Sequence, residues 1–142
     1  MSSKLEQVKL LLRGIRTDGE RYRQLHNLLE EQRLCMIRRA SDALIAVNAD
    51  IERLYPLLSS NARLRRETLL SLGVTADDTG MQQVFSWLPT VQNTAARQAW
   101  QQLTASVTAC KRYNEKNGEL LTRQHVFVQA FLGFEPHFIY HP

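Results

Sequence analysis

Between residues 96 and 132, apolar positions recur at alternating steps of four and three: Ala96, Trp100, Leu103, Val107, Cys110, then Leu121, Val128 and Phe131. That spacing lays one stripe along an α-helix and predicts a long helix, Ala96 to Leu132, packed against another helix. Three amides, Asn114, Asn117 and Gln124, fall on the same stripe, with Gly118 beside them. An amide at a seam position costs stability and commonly fixes the register of a bundle. Glycine costs roughly 1 kcal/mol against Ala inside a helix, so a neighbour is expected to approach the backbone of Gly118 closely.

The upstream chain carries the same period. Ser3, with Glu6 three residues on, predicts a capping box at the start of a first helix. Its stripe reads Leu5, Val8, Leu12, Ile15, Gly19, Tyr22, His26, Leu29, Arg33 and Met36. Gly14 and Gly19 predict a kink or fraying in its early part, and Arg38 and Arg39 suit its C-terminal end. Ser41-Asp42 reads as a new N-cap and first turn. A second helix follows with Leu44, Val47, Ile51, Leu54, Leu58, Arg65, Leu69 and Leu72 along one side. Pro56 predicts a kink or short break in it, and Gly73 its stop. Two long helices with almost no loop between them must fold back as a hairpin. Asp77 to Gly80 then reads as a turn, Met81 to Leu88 as a short helix ended by Pro89, with Phe85 and Trp87 or Leu88 as a lid on the bundle. Nothing alternates with the period of two that strands need. The fold expected is all-α, an elongated antiparallel helical bundle or coiled coil of three long helices plus one short helix. Residues 1–133 form the bundle, stopped by Gly133, and residues 134–142 a short C-terminal tail.

Composition agrees with one domain and a modest core: 142 residues, 44% hydrophobic, with six Gly and four Pro. No run of about 18 apolar residues exists, so no membrane span is expected. No apolar stretch backs the charge near Met1, so no secretory signal is expected either, and the localisation expected is cytoplasmic. Cys35 and Cys110 are then expected as reduced core thiols rather than a disulfide. The net charge of +4 is uneven: residues 1–71 hold 13 basic and 9 acidic side chains, residues 72–142 five of each. A basic first half suits an acidic partner, an anionic membrane or nucleic acid, or is simply a set of solvated arginines paired with glutamate. Arg13, Arg16, Arg23 and Arg38 are the candidates for a nucleic-acid face, but no aromatic residues interleave with them as a stacking platform requires.

No catalytic pattern emerges. A di-iron bundle needs Glu-x-x-His pairs, and none of His26, His125, His137 and His141 has a Glu three residues before it. Cys-x-x-Cys, His-Glu-x-x-His and Gly-rich phosphate loops are missing. Cys110 sits on the seam and reads as a packing residue, and His26 as a histidine packed at a helix interface. His137 and His141 are four apart, but Pro136 and Pro142 argue against helical geometry. No enzyme activity, metal or cofactor is expected.

The run Asn114-Glu115-Lys116-Asn117-Gly118-Glu119-Leu120-Leu121, followed by Gln124, resembles the Asn-x-x-Asn-Gly-x-Leu-Leu signature of the FlgN family of flagellar export chaperones. Leu25 to Arg33, and a second helix ending in Arg63, Arg66, Leu69, Leu70, Leu72 and Gly73, are similar to that family as well. The resemblance implies a cytoplasmic, non-enzymatic chaperone of flagellar type III secretion. It would bind the C-terminal amphipathic helices of hook-associated proteins and deliver these subunits to the export gate and ATPase-associated components. In the family the C-terminal helix supplies the substrate surface, and a tyrosine beyond it docks on the gate. Glu135-Pro136 followed by Tyr140 makes Tyr140 the candidate for that contact. The last helix also holds more apolar residues than one seam needs. Leu120, Phe127, Phe131, Leu132 and Phe134 are the candidate substrate-binding residues, in the helix-in-groove mode. The same residues also suit an ordinary core facing helices one and two. Asn114, Asn117, Gly118 and Leu121 form the structural signature. A generic helical adaptor or scaffold, or less readily a basic nucleic-acid-binding bundle, shares the periodicity.

Overall fold

Ser3 opens the first helix as its sequence predicts. Its hydroxyl oxygen accepts the Glu6 N–H at 3.1 Å while the Glu6 carboxylate accepts the Ser3 N–H at 3.3 Å. In the computed structural model, which describes residues 3–132 with side chains through Gln124, the elements are α1 (Lys4–Arg38), α2 (Ser41–Ser71), α3 (Asp78–Ser86) and α4 (Thr90–Leu132). No strand occurs among the described residues. The fold is the expected all-α bundle of three long helices and one short one.

α1 is the axis, for α2 and α4 both lie along it. It runs unbroken through Gly14 and Gly19, contrary to the kink or fraying expected there. Packing on two partner helices outweighs a glycine cost of about 1 kcal/mol at each position. Gly14 also gains a tether, since its carbonyl accepts Asn61 Nδ2–H at 3.1 Å. Service to two partners widens the buried face of α1. One line of the expected stripe holds, with Val8, Ile15, Leu29 and Met36 buried and Tyr22 half-buried. The second line is Leu11, Asp18, Leu25 and Gln32, not Leu5, Leu12, Gly19, His26 and Arg33, and Leu5 is 63% exposed. Two of its four members are polar, which hid the line from a hydrophobic pattern.

At the far end Arg39 turns the chain with a left-handed φ of 53°, and the Ala40 N–H closes back on the Cys35 carbonyl at 2.9 Å. This reversal leaves Ala40, without a side-chain cap, as the N-cap of α2; Ser41 is already helical and does not cap as expected. α2 returns antiparallel to α1, with Gln7 Nε2 donating to Ser71 Oγ at 2.9 Å and Gln32 Nε2 to Asn48 Oδ1 at 2.8 Å. It passes Pro56 without a break because the residues either side, Leu54 and Leu58, are buried in the core. Gly73 stops it at φ 81°, and the Val74 N–H bonds the Leu69 carbonyl at 3.2 Å with both side chains buried, the Schellman closure.

α3 begins at Asp78, inside the stretch read as a turn. The Asp77 carboxylate accepts Thr75 Oγ1–H at 2.5 Å and the Gly80 N–H at 2.9 Å. Those two bonds, the Thr75 hydroxyl first, hold the Asp77 carboxyl below its ordinary range. Met81, Val84 and Phe85 are buried, and Leu88 packs on the same cluster, so Phe85 and Leu88 lid the bundle. Trp87 stays 38% exposed, with Lys4 Nζ 4.0 Å above its ring. α4 starts at Thr90, six residues before the expected Ala96, because polar Gln92, Asn93 and Thr94 leave no mark on an apolar stripe. Asn93 Nδ2 anchors this first turn to the Phe85 carbonyl at 2.9 Å. At 43 residues α4 is about 65 Å long.

Gly80 is required by close approach, since a Cβ there would lie 1.7 Å from the Thr75 carbonyl oxygen. Gly80→Ala is expected to lower stability by about 2 kcal/mol, seen as a lower thermal midpoint in circular dichroism. An unchanged midpoint would show that the Thr75 loop yields freely.

Candidate functional site

α4 lies parallel to α1 at a constant offset of 88 residues. Cys110 Sγ–H donates to the Tyr22 carbonyl at 3.4 Å, Asn117 Nδ2–H to Leu29 at 2.8 Å and Gln124 Nε2–H to Met36 at 2.8 Å. The donors are seven residues apart, and so are the acceptors. The same offset sets Ala96 and Leu103 level with Val8 and Ile15, all four buried in one cluster. The seam of α4 is therefore apolar in its first half and hydrogen-bonded from Cys110 onward. The thiol of Cys110 is buried, which raises its pKa to about 11, and both cysteines are free.

Asn117, 1% exposed, also donates to Gln32 Oε1 at 3.0 Å, and Gln32 in turn donates to Asn48. One amide relay thus joins α4, α1 and α2. Asn48 and Gln32 were not singled out from the sequence. The signal that finds them is the second line of α1, in which Gln32 follows Leu25 by seven. Asp18 lies on the same line, 2% exposed and ion-paired with Arg65 of α2. Arg65 reaches over the Trp100 ring at 5.3 Å, and Trp100 Nε1–H donates to Asp78 at 2.6 Å. A second polar line therefore crosses the bundle near α3, and burial beside Asp18 raises the pKa of the Tyr22 hydroxyl.

The other seam line of α4 is more open, because α2 follows α1 rather than α4. Trp100, Asn114 and Leu121 are half-buried and Val107 is 37% exposed. Asn114 Oδ1 is shielded from solvent and meets no donor among the described residues. Gly118 is half-buried, and its carbonyl accepts Thr122 Oγ1–H at 2.9 Å. Leu120 is half-buried. Phe127, Phe131 and Leu132 are residues of α4 whose side chains lie outside the described ones, and Phe134, Tyr140 and the whole tail 134–142 lie outside the described residues. His26 is half-buried, with its ring edge-on to Tyr113 at 5.4 Å and Nδ1 3.2 Å from Glu30. Among the described residues no three His, Cys, Asp or Glu side chains cluster as metal ligands, and no helix is long and apolar enough to cross a membrane.

Parallel and antiparallel helices joined by internal amides define an all-α helical bundle. The family model of the FlgN protein matches residues 1–134, and the chain belongs to that family of flagellar export chaperones. Comparison with curated proteins and with solved structures found no match.

Both signature asparagines shield an Oδ1 that meets no donor among the described residues, but the Nδ2 group of Asn117 also supplies donors to Leu29 and Gln32. Asn117→Leu orphans Gln32 and is expected to cost about 1–3 kcal/mol. Asn114→Leu removes a shielded oxygen without a donor and is expected to stabilise the bundle while loosening its register. Urea midpoints moving in opposite directions check both; a lower midpoint for Asn114→Leu would show that its amide is satisfied.

Proposed function

We propose that this chaperone binds the C-terminal amphipathic helices of hook-associated proteins on the last turns of α4, holds those subunits monomeric, and delivers them to the type III export apparatus in the cytoplasm. Membership of the FlgN family supports the class of function. The register of α4 supports the place. The offset of 88 sets residue 126 level with Arg38, where α1 ends, so residues 127–132 continue about 9 Å beyond the helix that α4 packs on. Phe127, Phe131 and Leu132 are in that overhang, and Leu120 and Phe134 flank it. Apolar residues at helical spacing, more than one seam needs, are complementary to a client's amphipathic helix. Tyr140, beyond the helix, serves the separate contact with the export gate, and ATPase-associated components complete delivery. The role is binding without catalysis, and it uses no cofactor.

Phe127→Asp or Phe131→Asp is expected to weaken capture of a hook-associated protein at least tenfold with helicity preserved. A pull-down in which folded variants capture the client as well as the parent overturns the assignment. Tyr140→Ala is expected to leave client binding alone and to reduce affinity for the cytosolic domain of the export gate. Unchanged gate affinity by calorimetry would make Tyr140 a tail residue only.

A further inference from the structure

Along the first half of α4 runs a groove that the client site does not use. Three adjoining hollows of about 210, 530 and 440 Å³ share lining residues and follow one another from Gln92 to Ala109. Their walls come from α1 and α4 alone. Ile15 and Leu103 form the floor, and Ala99 and Ala105 keep one wall low. Opposite them stands Gly19, where an added Cβ would meet nothing within 4 Å. The groove spans 18 residues of α4, about 27 Å or five helical turns.

Its rim is cationic. Arg16 and Arg23, seven residues apart along α1, are both exposed. Arg16 has no ion-pair partner among the described residues, and Arg23 Nε–H donates only within its own helix, to the Gly19 carbonyl at 3.3 Å. Glu20 lies between them in sequence and pairs with neither. α4 holds no carboxylate from Thr90 to Asn114, whereas Arg97, Lys111 and Arg112 fall in that span. Glu30, at the lower end, is already held by His26.

We infer that the α1–α4 groove is a docking site for an acidic amphipathic helix of about 18 residues, supplied by another protein. Its apolar stripe would lie on Ile15 and Leu103, over the low alanine wall, and its flanking carboxylates would meet Arg16 and Arg23. Uncompensated guanidinium groups beside a narrow apolar floor give such a helix both contact and orientation. This surface is separate from the end of α4, so it does not depend on which client that end receives.

The probes are two labelled 18-residue helical peptides with one leucine stripe, flanked in one by glutamate and in the other by lysine, followed by fluorescence anisotropy on the full chain. The glutamate peptide is expected to bind, and to bind at least tenfold more weakly at high salt. The double variant R16E/R23E is expected to weaken it at least tenfold. Gly19→Leu is expected to do the same while thermal stability holds or rises, since the side chain enters open space and removes a helix glycine. Phe127→Asp is expected to leave peptide binding unchanged, which separates this site from the client site. The inference is overturned if the glutamate peptide does not bind, if the lysine peptide binds equally, or if Gly19→Leu has no effect. It is overturned too if Phe127→Asp abolishes binding, or if sedimentation shows a dimer that Gly19→Leu dissociates, which would make a second copy the occupant.

Discussion

One amide decides how this bundle is assembled. Asn117 is almost wholly enclosed, and it donates both to the backbone of α1 at Leu29 and to Gln32, which passes the link to Asn48 of α2. A leucine there would bury more apolar area but would fit every heptad shift nearly as well. An amide fits one, because sliding α4 by seven residues strands its donors and the Gln32 acceptor together. Cys110 and Gln124 repeat the contact one heptad either side. The offset of 88 is thereby specified three times in the half of the seam that has little apolar packing to specify it.

Much of the architecture was legible because it rests on local chemistry. The Ser3–Glu6 box and the Gly73 stop are set by a few neighbouring residues and appear where the sequence places them. So does the buried line Ala96, Leu103, Cys110, Asn117 of α4, which keeps one register against α1 along its length. The misreadings share a different cause. α1 touches two helices, so its buried face is wider than one stripe, and its second line is marked by Asp18 and Gln32 as much as by leucine. The start of α4 lies among polar residues fixed by Asn93 and Phe85, a contact across the Pro89 turn that no periodicity records. Ala40 caps α2 only because Arg39 adopts a left-handed conformation, a consequence of closing α1 and not of any preference of alanine.

The candidate site was legible to a lesser degree. The Asn114–Leu121 block pointed to the family, and the structure explains why its residues differ in duty: the Asn117 Nδ2 group donates to α1 twice, Asn114 and Asn117 each shield an Oδ1 that meets no donor among the described residues, and Leu120 and Leu121 are half-buried. What the block could not indicate is that the apolar floor of the bundle continues into an open groove upstream. That groove is made by absences, alanine and glycine where a larger side chain would have closed it, and a search for apolar residues passes over them.

The parallel setting of α1 and α4 has an electrical consequence. Helix macrodipoles in an up-down pair offset one another, but here two point one way and α2 alone opposes them, which leaves the equivalent of one uncompensated helix along the long axis. The partial positive end is the α3 end, and there the chain gathers Glu6, Asp77 and Asp78. The opposite end, where α1 closes, carries Arg38 and Arg39. The molecule is thus polar from end to end as well as across its faces.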